Sequence, residues 1–223
     1  MLLHIPGVLD RHQVNTVVHT LSRAKFVDGR LSAGAAAERV KHNEELDRAA
    51  EQRDYLAQLV MRGLYASEGF RSGVLPHRVS TPIFARYTAG MSYGDHIDDP
   101  IMGAGQRYRS DVSFTVFFSD PDGYEGGELV IRTSFGERKV KFAAGDAVAY
   151  PSSSLHRVAE VRDGERLVAV GWAQSLVRDA AQRELLYELS LARERLLRAS
   201  PEAEETAWVD HAYVNLVRMW AEV

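Results

Sequence analysis

Two histidines, an aspartate and an arginine carry the chemistry this sequence can do. His96 and Asp98 stand two apart in the run Tyr93-Gly-Asp-His-Ile-Asp-Asp-Pro100. His156 follows in Ser154-Leu-His-Arg-Val158, and Arg166 in Gly164-Glu-Arg-Leu-Val168. Two imidazoles and one carboxylate can hold a metal ion on one face and leave the opposite face open to other ligands. A guanidinium close by could take the carboxylate of a small molecule as a bidentate pair.

Each piece has a plainer reading. Residues two apart on a strand project to the same side, so His96 and Asp98 converge on one ion if they occupy a strand end. Gly90 and Gly94 suit a bend before the pair. An isolated His-x-Asp is common by chance, so taken alone the run reads as a polar surface loop, and Asp95 and Asp99 as solvated loop charges. His156 opens a candidate strand in which His156, Val158 and Glu160 share a face. A lone histidine there would be a satisfied core or rim residue. His4, His12, His19, His42, His77 and His211 keep that reading, and none is assigned to the metal.

Arg166 begins the candidate strand Arg166–Trp172. One face carries Arg166, Val168, Val170 and Trp172, and the other Leu167, Ala169 and Gly171. Both faces are largely apolar, which predicts a central, covered strand. An arginine on it needs an anion, because an unpaired buried charge is very costly. A protein carboxylate would make it a structural salt bridge. A His/Asp/His cluster on adjacent strands favours a bound ligand instead.

The elements that must position these residues fall into three zones: an N-terminal segment over 1–76, a strand-rich core over 77–177, and a C-terminal extension over 178–223. Asp10 and Gln13 have the spacing of a capping box. Val14, Val17, Val18 and Leu21 then form the apolar stripe of a short helix. Gly29 to Gly34 reads as a loop. The stretch from Ala35 to about Tyr65 has high helix propensity, as two helices or one broken one, with Leu46, Ala50, Leu56, Val60 and Leu64 inward. Lys41 and Asn43, on that helix, could reach a pocket mouth or simply be solvated. From Leu75-Pro76 the texture changes to short apolar or alternating runs separated by Gly, Pro, Asp and Ser. Strands are expected at 81–88, 111–118, 128–133, 138–142, 147–150, 156–161 and 166–172, a pattern that argues a sandwich or double-sheet barrel. Helical spacing returns in Leu185, Leu189, Ala192 and Leu196, and again in Val209, Tyr213, Leu216 and Trp220 after Ser200-Pro201. These two helices pack on the sheets or on a second subunit, and two amphipathic helices suit a homodimer.

Composition narrows the classes. A chain of 223 residues that is 45% hydrophobic and 26% charged can bury a sizeable core. A net charge of −4 gives no electrostatic footprint for nucleic acid. Cysteine is absent, so there is no disulfide, no cysteine-ligated zinc and no thiol nucleophile. The apolar start is cut short by Asp10, Arg11 and His12, too early for a signal sequence. No apolar run reaches a membrane span. A cytoplasmic location is the simplest expectation.

The order of motifs is itself informative. Tyr87-Thr-Ala-Gly-Met-Ser-Tyr-Gly-Asp-His96-Ile-Asp98-Asp-Pro, Gly126-Gly-Glu-Leu129, His156 and Arg166 together resemble the prolyl-hydroxylase branch of Fe(II)/2-oxoglutarate dioxygenases. Within it the chain is most similar to the bacterial PKHD-type hydroxylases, some of them described as iron-uptake factors. The likeness extends to Val40-Lys-His-Asn-Glu-Glu-Leu46 and to Gln174-Ser-Leu-Val-Arg-Asp179. It implies an α+β fold with a double-stranded β-helix (jelly roll) core. His96, Asp98 and His156 are implied as iron ligands. Arg166 is implied to bind the distal carboxylate of 2-oxoglutarate, with Tyr87 hydrogen-bonded to the same group. By the same likeness Leu129 packs against the co-substrate chain and Trp172 lines the metal pocket. Phe117 departs from the pattern, because some animal relatives have a tyrosine there that donates to the co-substrate. The resemblance further implies hydroxylation with release of succinate and CO₂, and L-ascorbate as a reductant of the iron.

Two other readings compete. A cupin-like metal enzyme shares the jelly roll but often uses extra histidines, and the His-x-Asp form with Arg166 favours 2-oxoglutarate. A non-catalytic sensor of iron or 2-oxoglutarate would bind the same ligands without turnover. The prime substrate is not readable from sequence: a peptidyl proline, a free amino acid and a siderophore-like small molecule all fit.

Overall fold

Strand β1 (Leu3–Ile5) leads into helix α1 (Arg11–Leu21), whose first turn is built as the spacing predicts. The Asp10 carboxylate accepts the Gln13 backbone N–H, and the Gln13 side chain accepts that of Asp10. Val14, Val17 and Leu21 form the buried stripe. The molecule is a computed structural model that describes residues 1–103 and 105–223.

The stretch expected to be helical from Ala35 departs most from the sequence reading. Strand β2 (Phe26–Asp28) runs into a 3₁₀ turn over Gly29–Ser32, and a single turn of α2 (Ala35–Glu38) follows. Next come β3 (Lys41–His42) and β4 (Glu44–Leu46), and only then α3 (Arg53–Ala66). Helix propensity is a weak prior, and strand pairing overrides it here. Leu56, Val60 and Leu64 are inward on α3 as expected. Each contributes roughly 1.5–3 kcal/mol by burial. Helix α4 (Glu68–Val74), not expected, ends on Leu75 in the left-handed conformation at φ 47°.

The strand-rich core then follows. It contains β5 (Pro76–Val79), β6 (Ile83–Tyr87), β7 (Ser92–His96), β8 (Ile101–Met102), β9 (Tyr108–Arg109) and β10 (Val112–Phe117). It continues through β11 (Tyr124–Gly126), β12 (Leu129–Thr133), β13 (Gly136–Val140), β14 (Ala147–Pro151), β15 (His156–Val158), β16 (Val161–Gly164) and β17 (Arg166–Ser175). One strand expected over 156–161 is two. The backbone turns after Val158, so Glu160 is exposed rather than on the face of His156.

Two antiparallel sheets face each other as a jelly roll. The larger has the order β1-β14-β10-β17-β6-β4-β2, with β5 also on β17, and the smaller β13-β12-β15-β7-β3. Strand alternation divides the core in two. Phe84, Phe114, Val116, Leu167 and Ala169 face α1, α3 and α4. Tyr87, Phe117, Val148 and Val168 face Leu129, Ile131 and Val158 of the smaller sheet. Strand β17 is central, as its two apolar faces predict. The segment 41–46 bridges the layers, since β3 pairs with β7 and β4 pairs with β6.

Helices α5 (Ala180–Ala199) and α6 (Glu204–Trp220) close the chain, and α5 packs on α4 and on α6. On α6 the expected Val209, Tyr213, Leu216 and Trp220 are half-buried. On α5 the expected stripe is rotated: Leu185 and Ala192 are exposed, and Arg183, Leu186 and Ser190 are buried. Leucines occur all around this helix, so its docking on α4 selects the face. Arg183 turns inward to donate to the carbonyls of Val177 and Arg178, in the segment that leads into α5. Among the described residues no helix is long and apolar enough to cross a membrane.

Candidate metal and anion site

His96 is the last residue of β7 and lies opposite His156 on β15, so strand register brings the two rings together. Their centroids are 4.2 Å apart. Asp98, two residues past the strand end, turns the same way. Its oxygens lie 4.0 Å from His96 Nε2 and 3.9 Å from His156 Nε2. One ligand atom from each of the three falls within 4.8 Å of the others. Gly94 does not bend the chain here. It lies inside β7, where a Cβ would come 2.8 Å from Val40 Cβ.

The neighbours of these groups prepare them for a cation. His96 Nδ1 is 2.8 Å from the Gly94 carbonyl, and His156 Nδ1 is 3.0 Å from the Ser154 carbonyl. A carbonyl only accepts, so each Nδ1 carries the proton and each Nε2 presents a lone pair. Burial, with His156 adding to it, pushes the His96 pKa down to about 4. The ring is therefore neutral near pH 7, the form that binds metal. Ser113 donates its hydroxyl to Asp98 and lies 2.7 Å from the Ser152 hydroxyl. Outer hydrogen bonds of this kind orient metal ligands. Tyr93 stacks on His96 at 3.7 Å, and Tyr150 meets His156 edge-on at 5.2 Å.

Arg166 is 1% exposed, with Nε and Nη1 lacking any hydrogen-bond partner. Among the described residues no carboxylate lies within ion-pair distance of it. The salt-bridge alternative therefore has no partner, and a bound anion would supply one. Tyr87 lies directly opposite on β6, its ring centroid 5.0 Å from Arg166 Cζ. Burial pushes the Tyr87 phenol up to about 12, against smaller opposing effects of Arg166 and the Asn43 amide. Phe117 flanks the guanidinium at 5.8 Å and offers only its ring. Tyr124, which the sequence reading passed over, has a buried hydroxyl without a partner, and it lies near enough to Arg166 for the cation to favour its ionised form.

His96, Asp98, His156, Arg166, Tyr87, Leu129 and Trp172 all line one cavity of about 620 Å³. Lys41 and Asn43 line it too, from β3 and from the step between β3 and β4 rather than from a helix. Lys41 pairs with Glu45 and donates to the Ser32 hydroxyl at 2.9 Å, and the alternate side chains Lys41, Asn43 and Glu45 are buried. Glu45, Ser113, Tyr93 and Tyr150 were not singled out from sequence. Ser113 and Tyr150 lie in apolar strands with no local signal. Lys41-His-Asn-Glu-Glu45 is polar throughout, so no apolar alternation marks it as strand.

The arrangement can hold a divalent cation with open positions and a carboxylate beside it. The comparisons with known proteins agree. Residues 82–174 match the 2OG-Fe(II) oxygenase superfamily, and residues 180–222 the PKHD-type hydroxylase C-terminal domain. A PKHD-type hydroxylase of Thioalkalivibrio sulfidiphilus is 55% identical over 224 residues, covering 100% of both chains. One from Rippkaea orientalis is 43% identical over 222 residues, again covering 100% of both. The crystal structure of a Pseudomonas putida prolyl-4-hydroxylase shares the fold, with a TM-score of 0.54 at 22% identity over 78% of this chain and 92% of that one. The chain belongs to the PKHD-type hydroxylases of the 2OG-Fe(II) oxygenase superfamily and is a 2-oxoglutarate-dependent dioxygenase.

Proposed function

We propose that His96, Asp98 and His156 hold Fe(II), that Arg166 and Tyr87 hold the distal carboxylate of 2-oxoglutarate, and that the enzyme hydroxylates a small-molecule or peptidyl substrate. The observation that carries this reading is Arg166, buried with its Nε and Nη1 left unpaired by any protein group, in the same cavity as the His/Asp/His cluster. The donor set fits the metal: two neutral imidazoles and one carboxylate suit non-haem Fe(II). The unpaired guanidinium edge fits the co-substrate. When bound, iron with 2-oxoglutarate and dioxygen supplies the oxidising power for an unactivated C–H bond, and 2-oxoglutarate leaves as succinate and CO₂.

The residues of the chain do the rest. The carbonyls of Gly94 and Ser154 keep both Nε2 lone pairs aimed inward, and Ser113 holds the Asp98 carboxylate against rotation. Arg166 neutralises the anion that Tyr87 helps to orient. Leu129 packs against the co-substrate chain, and Trp172 walls the metal pocket. The cavity lies within the roughly 300–1,000 Å³ of ligand pockets, which leaves room for a substrate beside the co-substrate.

Several finer features belong to the same proposal. L-ascorbate re-reduces iron after uncoupled turnover, the location is cytoplasmic, and α5 and α6 support a homodimer. The family's association with iron uptake supports a siderophore-like substrate. In the same proposal 77–177 is the catalytic jelly roll and 178–223 its C-terminal extension, while the 1–76 segment packs helices on the core and, beyond the helical cover expected, adds β1 to β4 to the two sheets. The test is succinate formation from 2-oxoglutarate by the Fe(II)-loaded protein, with and without candidate substrates and ascorbate. Substrate-stimulated succinate release is expected. Tight 2-oxoglutarate binding with no succinate under any condition would instead make the protein a sensor.

A further inference from the structure

Three residues meet at the Arg166 end of the cavity, two on paired strands and one at the step between β3 and β4. Arg166 on β17 lies opposite Tyr87 on β6. Side chains directly opposed in this way on one face are neighbours, with Cβ atoms about 4.5–5.5 Å apart. Asn43 immediately precedes β4, whose Glu44 and Glu45 pair with Arg86 and Ala85, and its amide comes close enough to the Tyr87 phenol to act on it. Asn43 is 3% exposed and lines the cavity with Tyr87 and Arg166. Neither its Nδ2 nor its Oδ1 has a partner at hydrogen-bond geometry. Buried amides are nearly always satisfied, so this one is set for a partner.

Gly29 makes the seat for it. Its N–H donates to the Asn43 carbonyl at 2.9 Å, and a Cβ at position 29 would collide with Asn43 Oδ1. Oδ1 is thus held against the Gly29 backbone, and Nδ2 is left as the group that can turn to the Tyr87 hydroxyl. A phenol has one proton to give. If its oxygen accepts from Asn43, that proton is free to point into the cavity, where Arg166 is unpaired.

We propose that Asn43 is a positioning residue for co-substrate binding: its Nδ2 donates to the Tyr87 hydroxyl oxygen and turns the Tyr87 proton onto the carboxylate held by Arg166. This rests on the reading that the anion at Arg166 is the distal carboxylate of 2-oxoglutarate. The bridging segment is then part of the co-substrate site and not only a wall of the substrate mouth. The buried Lys41–Glu45 pair, two residues to either side of Asn43, spans the step from β3 to β4.

The experiment is calorimetric titration of the Mn(II)-loaded full chain with 2-oxoglutarate and with 2-oxobutyrate, which lacks the distal carboxylate. Asn43→Ala is expected to weaken 2-oxoglutarate roughly tenfold, the worth of one hydrogen bond to this donor. Affinities for 2-oxobutyrate and Mn(II) are expected to be unchanged. In a Tyr87→Phe background the same substitution is expected to add nothing. Gly29→Ala, which keeps Asn43 but displaces it, is expected to reproduce the loss and serves if Asn43→Ala does not fold. Unchanged 2-oxoglutarate affinity, an equal loss for both ligands, or a full additional loss on top of Tyr87→Phe would each overturn the role of Asn43. Arg166→Met separates the two levels. If it binds 2-oxoglutarate as the parent does, the co-substrate assignment itself fails. If it loses 2-oxoglutarate while Asn43→Ala does not, only the Asn43 role fails.

Discussion

His96 and His156 sit opposite each other across β7 and β15, and each ring binds through Nδ1 to the carbonyl two residues before it, Gly94 and Ser154. The same local device is used twice on facing strands. It fixes both tautomers, the Tyr93 and Tyr150 rings pack against the two imidazoles, and two Nε2 lone pairs are left converging with Asp98. On its histidine side, backbone carbonyls set which nitrogen faces the cation and tyrosine rings flank the imidazoles.

Asp98 is the only carboxylate of that cluster. Asp98→Ala is expected to weaken Fe(II) or Mn(II) binding by more than the roughly 100-fold that loss of an outer-shell partner can cost. The fold should persist, because Asp98 lies past the end of its strand. Metal titration by calorimetry checks this. Retained tight binding would mean that another carboxylate holds the ion.

Ser113 acts one layer further out. Its hydroxyl donates to Asp98 and meets Ser152, and both serines are buried. Ser113→Ala is expected to lower metal affinity by about 10–100-fold while leaving 2-oxoglutarate affinity at saturating metal unchanged. Equal metal affinities in Ser113→Ala and the parent would remove Ser113 from the site.

The Lys41–Glu45 pair is buried on both sides, at 7% and 8% side-chain exposure. Removing one partner leaves the other charge buried alone. Lys41→Met is therefore expected to cost about 3–5 kcal/mol of stability, and Lys41→Met with Glu45→Leu to recover most of it. Urea unfolding of the three proteins measures this. Equal stability of parent and single variant would show that water reaches Glu45.

The pH dependence of co-substrate binding follows from Tyr87. Its protonated form is the donor, and burial raises its pKa to about 12. The folded protein keeps this proton where an ordinary phenol loses it, near pH 10. Its contribution is present at neutral pH and lost only as pH rises through about 12. Between pH 7 and 10.5, 2-oxoglutarate affinities of the parent and of Tyr87→Phe are expected to run parallel. A parent curve that falls toward the variant near pH 10 would place the phenol in water.

Much of the site was legible because its signals are local. His-x-Asp at a strand end and Arg166 on a doubly apolar strand are statements about periodicity and buried charge, and the fold honours both. Other parts depend on pairing between distant segments. Residues 41–46 sit within a helix-favouring stretch, yet β7 and β6 recruit them as strands. That pairing turns Lys41 and Asn43 into cavity residues. Likewise Ser113 looks like one polar residue in an apolar strand until Asp98 is folded against it. The face of α5 was ambiguous for a different reason. Leucines surround it, so Leu186 rather than Leu185 is buried only because α4 and the Arg183 anchors decide the rotation.

The central claim is that metal and co-substrate are held by separate groups in one cavity. Anaerobic titration of the Fe(II)-loaded Arg166→Met protein with 2-oxoglutarate tests it most directly. Full metal occupancy with a 2-oxoglutarate requirement raised roughly 100-fold or more is predicted, as for truncating one partner of a buried charge pair. Parent-like affinity for 2-oxoglutarate in Arg166→Met would contradict it.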